Sequence, residues 1–359
     1  MKWPSHGSNP HYLFEAMNLP FPSERVDFSA NINPLGPPPI VKENWGSLFK
    51  VITEYPDPGG TVLKKKMAEQ EGLQESQILL GNGGAEIISL LGRMLSGKKV
   101  VIVQPAFSEY EEACRVNGCQ VEYHQLQPDS WDWIGDGLCE KLAGADAVFL
   151  CNPNNPTGVY YPKTMVLQLL EECRKHKCLL IVDEAFYDFL AEYESIAQYI
   201  NEYPNLIIIR SMTKMFAIPG LRLGYLLADP SVIKSLGSFQ PHWSINAIAL
   251  KAGEWCLDCE TYISETITFI EMERQRLFQF YKERNLQVSP SRINFYLLKD
   301  PSMEDQLPFL KYLVTRGMIP RHTVNFPGLE GRWLRFAIKG RSDNDKLMGA
   351  VDEWLNSRL

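Results

Sequence analysis

The sequence predicts an α/β protein whose central sheet is mostly parallel and covered by helices on both faces. Short apolar runs near residues 78 to 81, 100 to 104, 119 to 124, 147 to 151, 179 to 183 and 206 to 210 are rich in Val, Ile and Leu. Most of these runs lack polar alternation and so fit strands buried on both sides. Helical spacing separates most of the runs, and parallel neighbours need such crossovers. A chain of 359 residues also has room for two substantial cores.

The expected organisation is an N-terminal arm over residues 1–39, a large domain over 40–245, and a connecting helix with a smaller α+β domain over 246–359. Pro34 to Pro39 marks the end of the arm. The amphipathic stretch from Ala247 to Lys282 reads as one connecting helix, and Asn294 to Leu298 and Trp333 to Ile338 alternate as strands of the smaller domain. No internal repeat or low-complexity segment interrupts the chain.

Taken in order, several strand ends carry chemistry. Ile78-Leu79-Leu80 runs into Gly81-Asn82-Gly83-Gly84-Ala85-Glu86 and then an amphipathic helix. Glycines that open a helix expose N–H groups to an anion, and the helix dipole adds attraction. Ala147 to Cys151 is followed by Asn152-Pro153-Asn154-Asn155-Pro156-Thr157-Gly158, a turn that sets Asn155 just beyond a strand end. Leu179-Leu180-Ile181-Val182 ends in Asp183 and Glu184. The carboxyl ends of parallel strands are where such sheets bind ligands, so Asp183 is the candidate there, while Glu184 is expected to cap the next helix. The last run leads into Ser211-Met212-Thr213-Lys214, with Arg222 eight residues beyond the lysine. One amine, two hydroxyls and a guanidinium gathered around a phosphorylated aldehyde describe a pyridoxal 5'-phosphate site. A Schiff-base lysine needs a lowered pKa, and burial or neighbouring cations supply it.

These motifs, in this order, resemble the fold-type I pyridoxal phosphate-dependent enzymes, in the class I/II aminotransferase branch that holds histidinol-phosphate aminotransferases and threonine-phosphate decarboxylases. The resemblance runs from His6 to the C-terminal helix. It implies that Lys214 forms the imine, that Asp183 partners the ring nitrogen, and that Asn155 meets the phenolic oxygen. It further implies a phosphate cup of Gly84, Ala85, Ser211, Thr213 and Arg222, with Phe107 stacked on the ring and Tyr110 beside it. Tyr55 is expected to reach the cofactor phosphate from a neighbouring subunit, which implies a homodimer with shared active sites.

Within the branch, the chain is more similar to the decarboxylases. His6-Gly7-Ser8-Asn9 resembles their N-terminal signature, with Ser8 in place of a glycine, and Asn31-Ile32-Asn33-Pro34 resembles their version of that block. Pro241-His242-Trp243-Ser244-Ile245-Asn246-Ala247 is a further likeness, with His242 inserted or displaced. Phe186 stands where the aminotransferases usually carry a tyrosine that bonds the phenolic oxygen, and phenylalanine cannot make that bond. The resemblance therefore implies decarboxylation of L-threonine O-3-phosphate to (R)-1-amino-2-propanol O-phosphate in cobalamin synthesis. On this reading Arg321 and Arg335 hold the substrate phosphate, and His6, Asn31, Ile32 and Asn155 complete the substrate site. The alternative is a histidinol-phosphate aminotransferase, in which the residue matching Arg335 takes a carboxylate. A non-catalytic regulator on the same fold would need lost catalytic residues and usually an attached DNA-binding module, whereas Lys214 is intact.

Composition bounds the partners. A net charge of -7 and the absence of a basic stripe argue against a general nucleic-acid surface. The eight cysteines include one C-x-x-C, Cys256 to Cys259, without a second ligand pair, so no metal is expected. Reduced thiols, no apolar leader and no membrane-length apolar run give the expectation of a cytoplasmic enzyme.

Overall fold

The computed structural model describes residues 3–4, 7–132 and 136–358. Its strands are β1 (Val26–Asp27), β2 (Ile78–Gly81), β3 (Lys99–Gln104), β4 (Gln120–Gln125), β5 (Ala147–Cys151), β6 (Leu179–Asp183), β7 (Leu206–Ser211), β8 (Gly224–Ala228), β9 (Gln287–Val288), β10 (Phe295–Lys299), β11 (Met318–Ile319), β12 (Arg321–His322) and β13 (Leu334–Ala337). Seven of them form one sheet in the order β2-β8-β7-β6-β5-β3-β4. The five strands from β7 to β4 are parallel, and β8 runs antiparallel to both of its neighbours. Alternate residues feed opposite faces. Ile102, Phe149, Ile181 and Ile207 enter one buried cluster, while Val101, Val148, Leu180 and Ile208 enter the other. Both faces are dry, which explains the unbroken apolar runs.

All six expected runs are strands, and the seventh, β8, was not foreseen. It returns antiparallel after a short link, so no crossover helix announces it. The expected single helix from Ala247 to Lys282 is a second correction. The structure breaks it into Ala247–Cys256 and Glu260–Glu283. The helix Thr61–Glu71 supports the break, because Gln70 Nε2 donates to Leu257 O at 2.8 Å and Lys66 Nζ donates to Glu254 O at 3.2 Å. Carbonyls left without an intrahelical partner thereby gain donors.

A four-stranded antiparallel sheet, β12-β13-β10-β9, forms beyond the second of these helices, and β1 pairs in parallel with β11. In that smaller sheet Arg321 lies directly opposite Arg335.

Glu184 does not cap a helix. Its side chain turns to the sheet face opposite Asp183 and accepts from Arg210 Nε at 3.0 Å. Arg210 also bonds Glu71 and Ser195 Oγ and lies 4.0 Å from the Tyr187 ring centroid. Glu184 is 1% exposed and Arg210 2%, so the carboxylate needs the guanidinium to stay charged, while Arg210 is neutralised by Glu184 and Glu71 together. Arg210→Ala strands a buried carboxylate and is expected to lower unfolding free energy by about 3–5 kcal/mol, measured by urea denaturation. A loss under about 1 kcal/mol would show that the pair is not a structural tie.

Candidate active site

The carboxyl ends of β5, β6 and β7 open into a cavity of about 290 Å3. Cys151, Asp183 and Ser211 are the last residues of these strands and all line it. Lys214 enters from the helix Met212–Met215 that follows β7. Its Nζ lies 5.9 Å from the Phe186 ring centroid. Burial, then the charges of Arg222 and Arg335, pull the amine down to about 8, against an opposing pull from Asp183. Near physiological pH the neutral, nucleophilic share of Lys214 is therefore far larger than that of an ordinary lysine, although the protonated form still predominates.

An anion cup lies at one end of the cavity. Gly84 and Ala85 lie in the first turn of the helix Gly83–Met94, where N–H groups lack intrahelical acceptors. Ser211 Oγ and Thr213 Oγ1 are 2.8 Å apart. Arg222 comes in over Gly83, which has φ +78°, and a Cβ there would meet Arg222 Nη2 at 2.6 Å. Only glycine allows both the left-handed backbone and this close approach.

At the other end, Arg335 Nη1 donates to Asn155 Oδ1 at 2.5 Å and Nη2 donates to Ser29 O at 2.8 Å. Because Arg335 occupies Oδ1, the Asn155 amide offers its Nδ2 as a donor to anything bound nearby. Arg321 Nη2 donates to Asn325 Oδ1 at 2.8 Å, and its Nη1 lies 2.6 Å from His322 Nε2. Burial and then Arg335 lower Arg321 to about 9, and burial lowers Arg335 to about 10, so both stay cationic at neutral pH. Burial first, then Arg321, pushes His322 down to about 3, so this histidine is neutral against the guanidinium.

The cavity thus gathers Gly84, Ala85, Phe107, Asn155, Asp183, Ser211, Thr213, Lys214, Arg222, Asn31, Arg321 and Arg335 from the expected set. Ile32 does not line it. Asn31 and Asn33 are buried on either side of Ile32, and Asn33 Nδ2 bonds Met215 O and Thr266 Oγ1, so the turn sends Ile32 the other way. Tyr55 is 84% exposed, meets Trp243 at 5.1 Å with the rings tilted by 40°, and does not line the cavity of its own chain. His6 lies outside the described residues.

The residues fit the expected cofactor. Asn31 Oδ1, Ser108 Oγ and Arg335 Nε are buried polar atoms on cavity-lining residues with no partner, so the cavity is built for a polar ligand. An amine of depressed pKa stands between a carboxylate and an anion cup, as a phosphorylated pyridine aldehyde requires.

The family profile Aminotransferase class I and II matches residues 23–351. The chain belongs to the class I and II aminotransferase family. It is 33% identical over 351 residues to the threonine-phosphate decarboxylase of Salmonella typhimurium, covering 97% of this chain and 95% of that protein. It is 32% identical to the adenosylcobalamin biosynthesis bifunctional protein CobDQ of Leptospira interrogans, covering 98% of this chain and 41% of that protein. The crystal structure of the histidinol-phosphate aminotransferase from Clostridium acetobutylicum superposes with a TM-score of 0.87 at 31% identity, covering 92% of this chain and 99% of that one. The chain is a fold-type I, pyridoxal phosphate-dependent enzyme of this family.

Sequence reasoning did not anticipate Cys151, Ser29, Ser108 or the support of Arg321 by His322. Cys151 and Ser29 read as ordinary strand and loop residues, and their places follow from tertiary packing. No group of three or more His, Cys, Asp or Glu side chains among the described residues could hold a metal. None of the described helices is long and apolar enough to cross a membrane.

The pKa of Lys214 makes a kinetic prediction. Capture of pyridoxal phosphate by the cofactor-free protein is expected to be half-maximal near pH 8, because the attacking form is the neutral amine. Arg335→Met removes a nearby positive charge and should move that midpoint upward. Stopped-flow absorbance measures both, and a midpoint near the ordinary lysine value of roughly 10.4 would contradict the assignment.

Proposed function

We propose that this chain decarboxylates L-threonine O-3-phosphate to (R)-1-amino-2-propanol O-phosphate and carbon dioxide, in the cytoplasm, for cobalamin synthesis. The observation that carries the reading is the facing pair Arg321 and Arg335, two buried guanidiniums opposed across β12 and β13 at the cavity. Like charges held opposite each other in a buried site repel, and a doubly charged substrate phosphate would relieve that repulsion. Its likeness to the Salmonella typhimurium enzyme over nearly all of both chains supports the same conclusion.

Pyridoxal phosphate, when bound, supplies the electron sink for the bond broken at Cα. Asp183 would face its ring nitrogen, and Ser211, Thr213, Arg222 and the N–H groups of Gly84 and Ala85 would hold its phosphate. Asn155 would donate from Nδ2 to the phenolic oxygen, the position that Phe186 cannot serve. Arg321 and Arg335 would take the substrate phosphate together. Neither guanidinium would then be committed to holding the substrate's α-carboxylate, which would be left free to depart as carbon dioxide. Lys214, whose amine lines the same cavity, would hold a proton for return to Cα.

The subunit reading follows from Tyr55. Trp45, Phe49, Ile52, Tyr55 and Trp243 are exposed aromatic or aliphatic side chains. In a homodimer this surface would be covered, with Tyr55 of one protomer completing its partner's phosphate cup.

Two experiments test the assignment. Holoenzyme given L-threonine phosphate without a keto acid should release carbon dioxide and aminopropanol phosphate, whereas turnover of histidinol phosphate that depends on 2-oxoglutarate would replace this reading with the aminotransferase. Arg321→Met should raise KM for the phosphorylated substrate roughly 10- to 100-fold, the loss expected for a charge-assisted hydrogen bond. An unchanged KM would remove Arg321 from the substrate site.

A further inference from the structure

Behind Asp183 lies a tyrosine that the reaction outlined above leaves without a part. Tyr110, in the helix Ser108–Val116, is 1% exposed and donates its hydroxyl to Asp183 Oδ2 at 2.5 Å. The other carboxylate oxygen, Oδ1, accepts the Ala185 N–H at 2.9 Å. Packing fixes the phenol in this position. Its ring stacks on Phe149 at 5.2 Å with an 18° interplanar angle and meets Phe107 edge-on at 5.9 Å. The titratable groups facing Asp183 are Tyr110 from this helix, the Cys151 thiol at the end of β5, and Lys214 from beyond β7.

We propose that Tyr110 is a positioning residue for the reaction: its hydroxyl keeps Asp183 ionised and aimed at the cofactor's ring nitrogen, and so sets how much positive charge the ring retains. This rests on the reading of Asp183 as the partner of that nitrogen. Burial drives Asp183 toward the protonated form, and the Tyr110 hydroxyl is the largest of the groups that oppose it, ahead of the Ala185 N–H and Lys214. Tyr110 stays protonated because burial, then the charge of Asp183, pushes its own pKa well above the usual phenol range. Without that donor, Asp183 becomes more basic and draws the ring proton toward itself. The ring is then less cationic, and its Schiff base with Lys214 binds a proton more tightly.

The test is a pH titration of the visible absorbance of holoenzyme. Tyr110→Phe keeps the stacked ring and removes the donor, and it should raise the titration midpoint by at least about half a unit. It should also lower kcat roughly tenfold with little change in KM. Replacing Tyr110 with 3-fluorotyrosine, a stronger donor, should move the midpoint downward, a change of sign that a purely structural role does not produce. A wild-type midpoint in a folded, cofactor-loaded Tyr110→Phe protein overturns the proposal. If that variant does not fold, the fluorinated protein decides, and no downward shift overturns it. Asp183→Asn separates the two readings. If it leaves cofactor binding and midpoint at wild-type values, the assignment of Asp183 fails, whereas disruption by Asp183→Asn alone removes only Tyr110.

Discussion

The architecture of the site depends on an excess of positive charge around one cavity. Lys214, Arg222, Arg321 and Arg335 face one cavity, and the carboxylates facing it among the described residues are Asp183 and Glu109. Confined together, the cations act on Lys214 and Arg321. Arg222 and Arg335 both help to pull Lys214 down, and Arg335 helps to pull Arg321 down. The same electrostatics that would destabilise an empty site prepares it for phosphates, which relieve the repulsion, and for imine chemistry, which needs a neutral amine. Affinity for anions and reactivity of the lysine are thus one property of the cavity.

The parallel sheet makes this charge tolerable by separating duties between its faces. Asp183 and Glu184 are adjacent, and strand geometry sends them to opposite sides. Asp183 meets the cavity and Tyr110, whereas Glu184 meets Arg210 in a buried ion pair. Ser211 and Arg210 divide in the same way on β7. The chemical groups therefore sit on strand ends locked from behind by charges that never touch the ligand.

Much of the fold and site was legible in the sequence because its signals are local. Apolar runs ending in Asp183 or leading to Lys214 are read from a few neighbouring residues, as is the glycine turn before Ile87. What was missed is non-local. β8 pairs with β2 and β7 across an antiparallel return, and the interruption at Leu257 is supported by side chains from Thr61–Glu71. Glu184 finds its partner on the next strand rather than in the next turn, so the capping expectation could not survive. Ile32 failed for a simpler reason, since its buried neighbours Asn31 and Asn33 fix the turn that faces it away. Tyr55 shows the limit of one chain, because the exposed ring has no role in its own cavity.

The central claim is that the facing arginines take a phosphate, leaving the carboxylate as the group lost from Cα. The bond that breaks can be followed directly with L-threonine phosphate deuterated at Cα, turned over in ordinary water and read by mass spectrometry of the product. Retention of the deuterium in aminopropanol phosphate, together with one solvent proton at the same carbon, is the predicted result. Loss of the deuterium with the carboxylate still in place would contradict it and return the site to amino transfer.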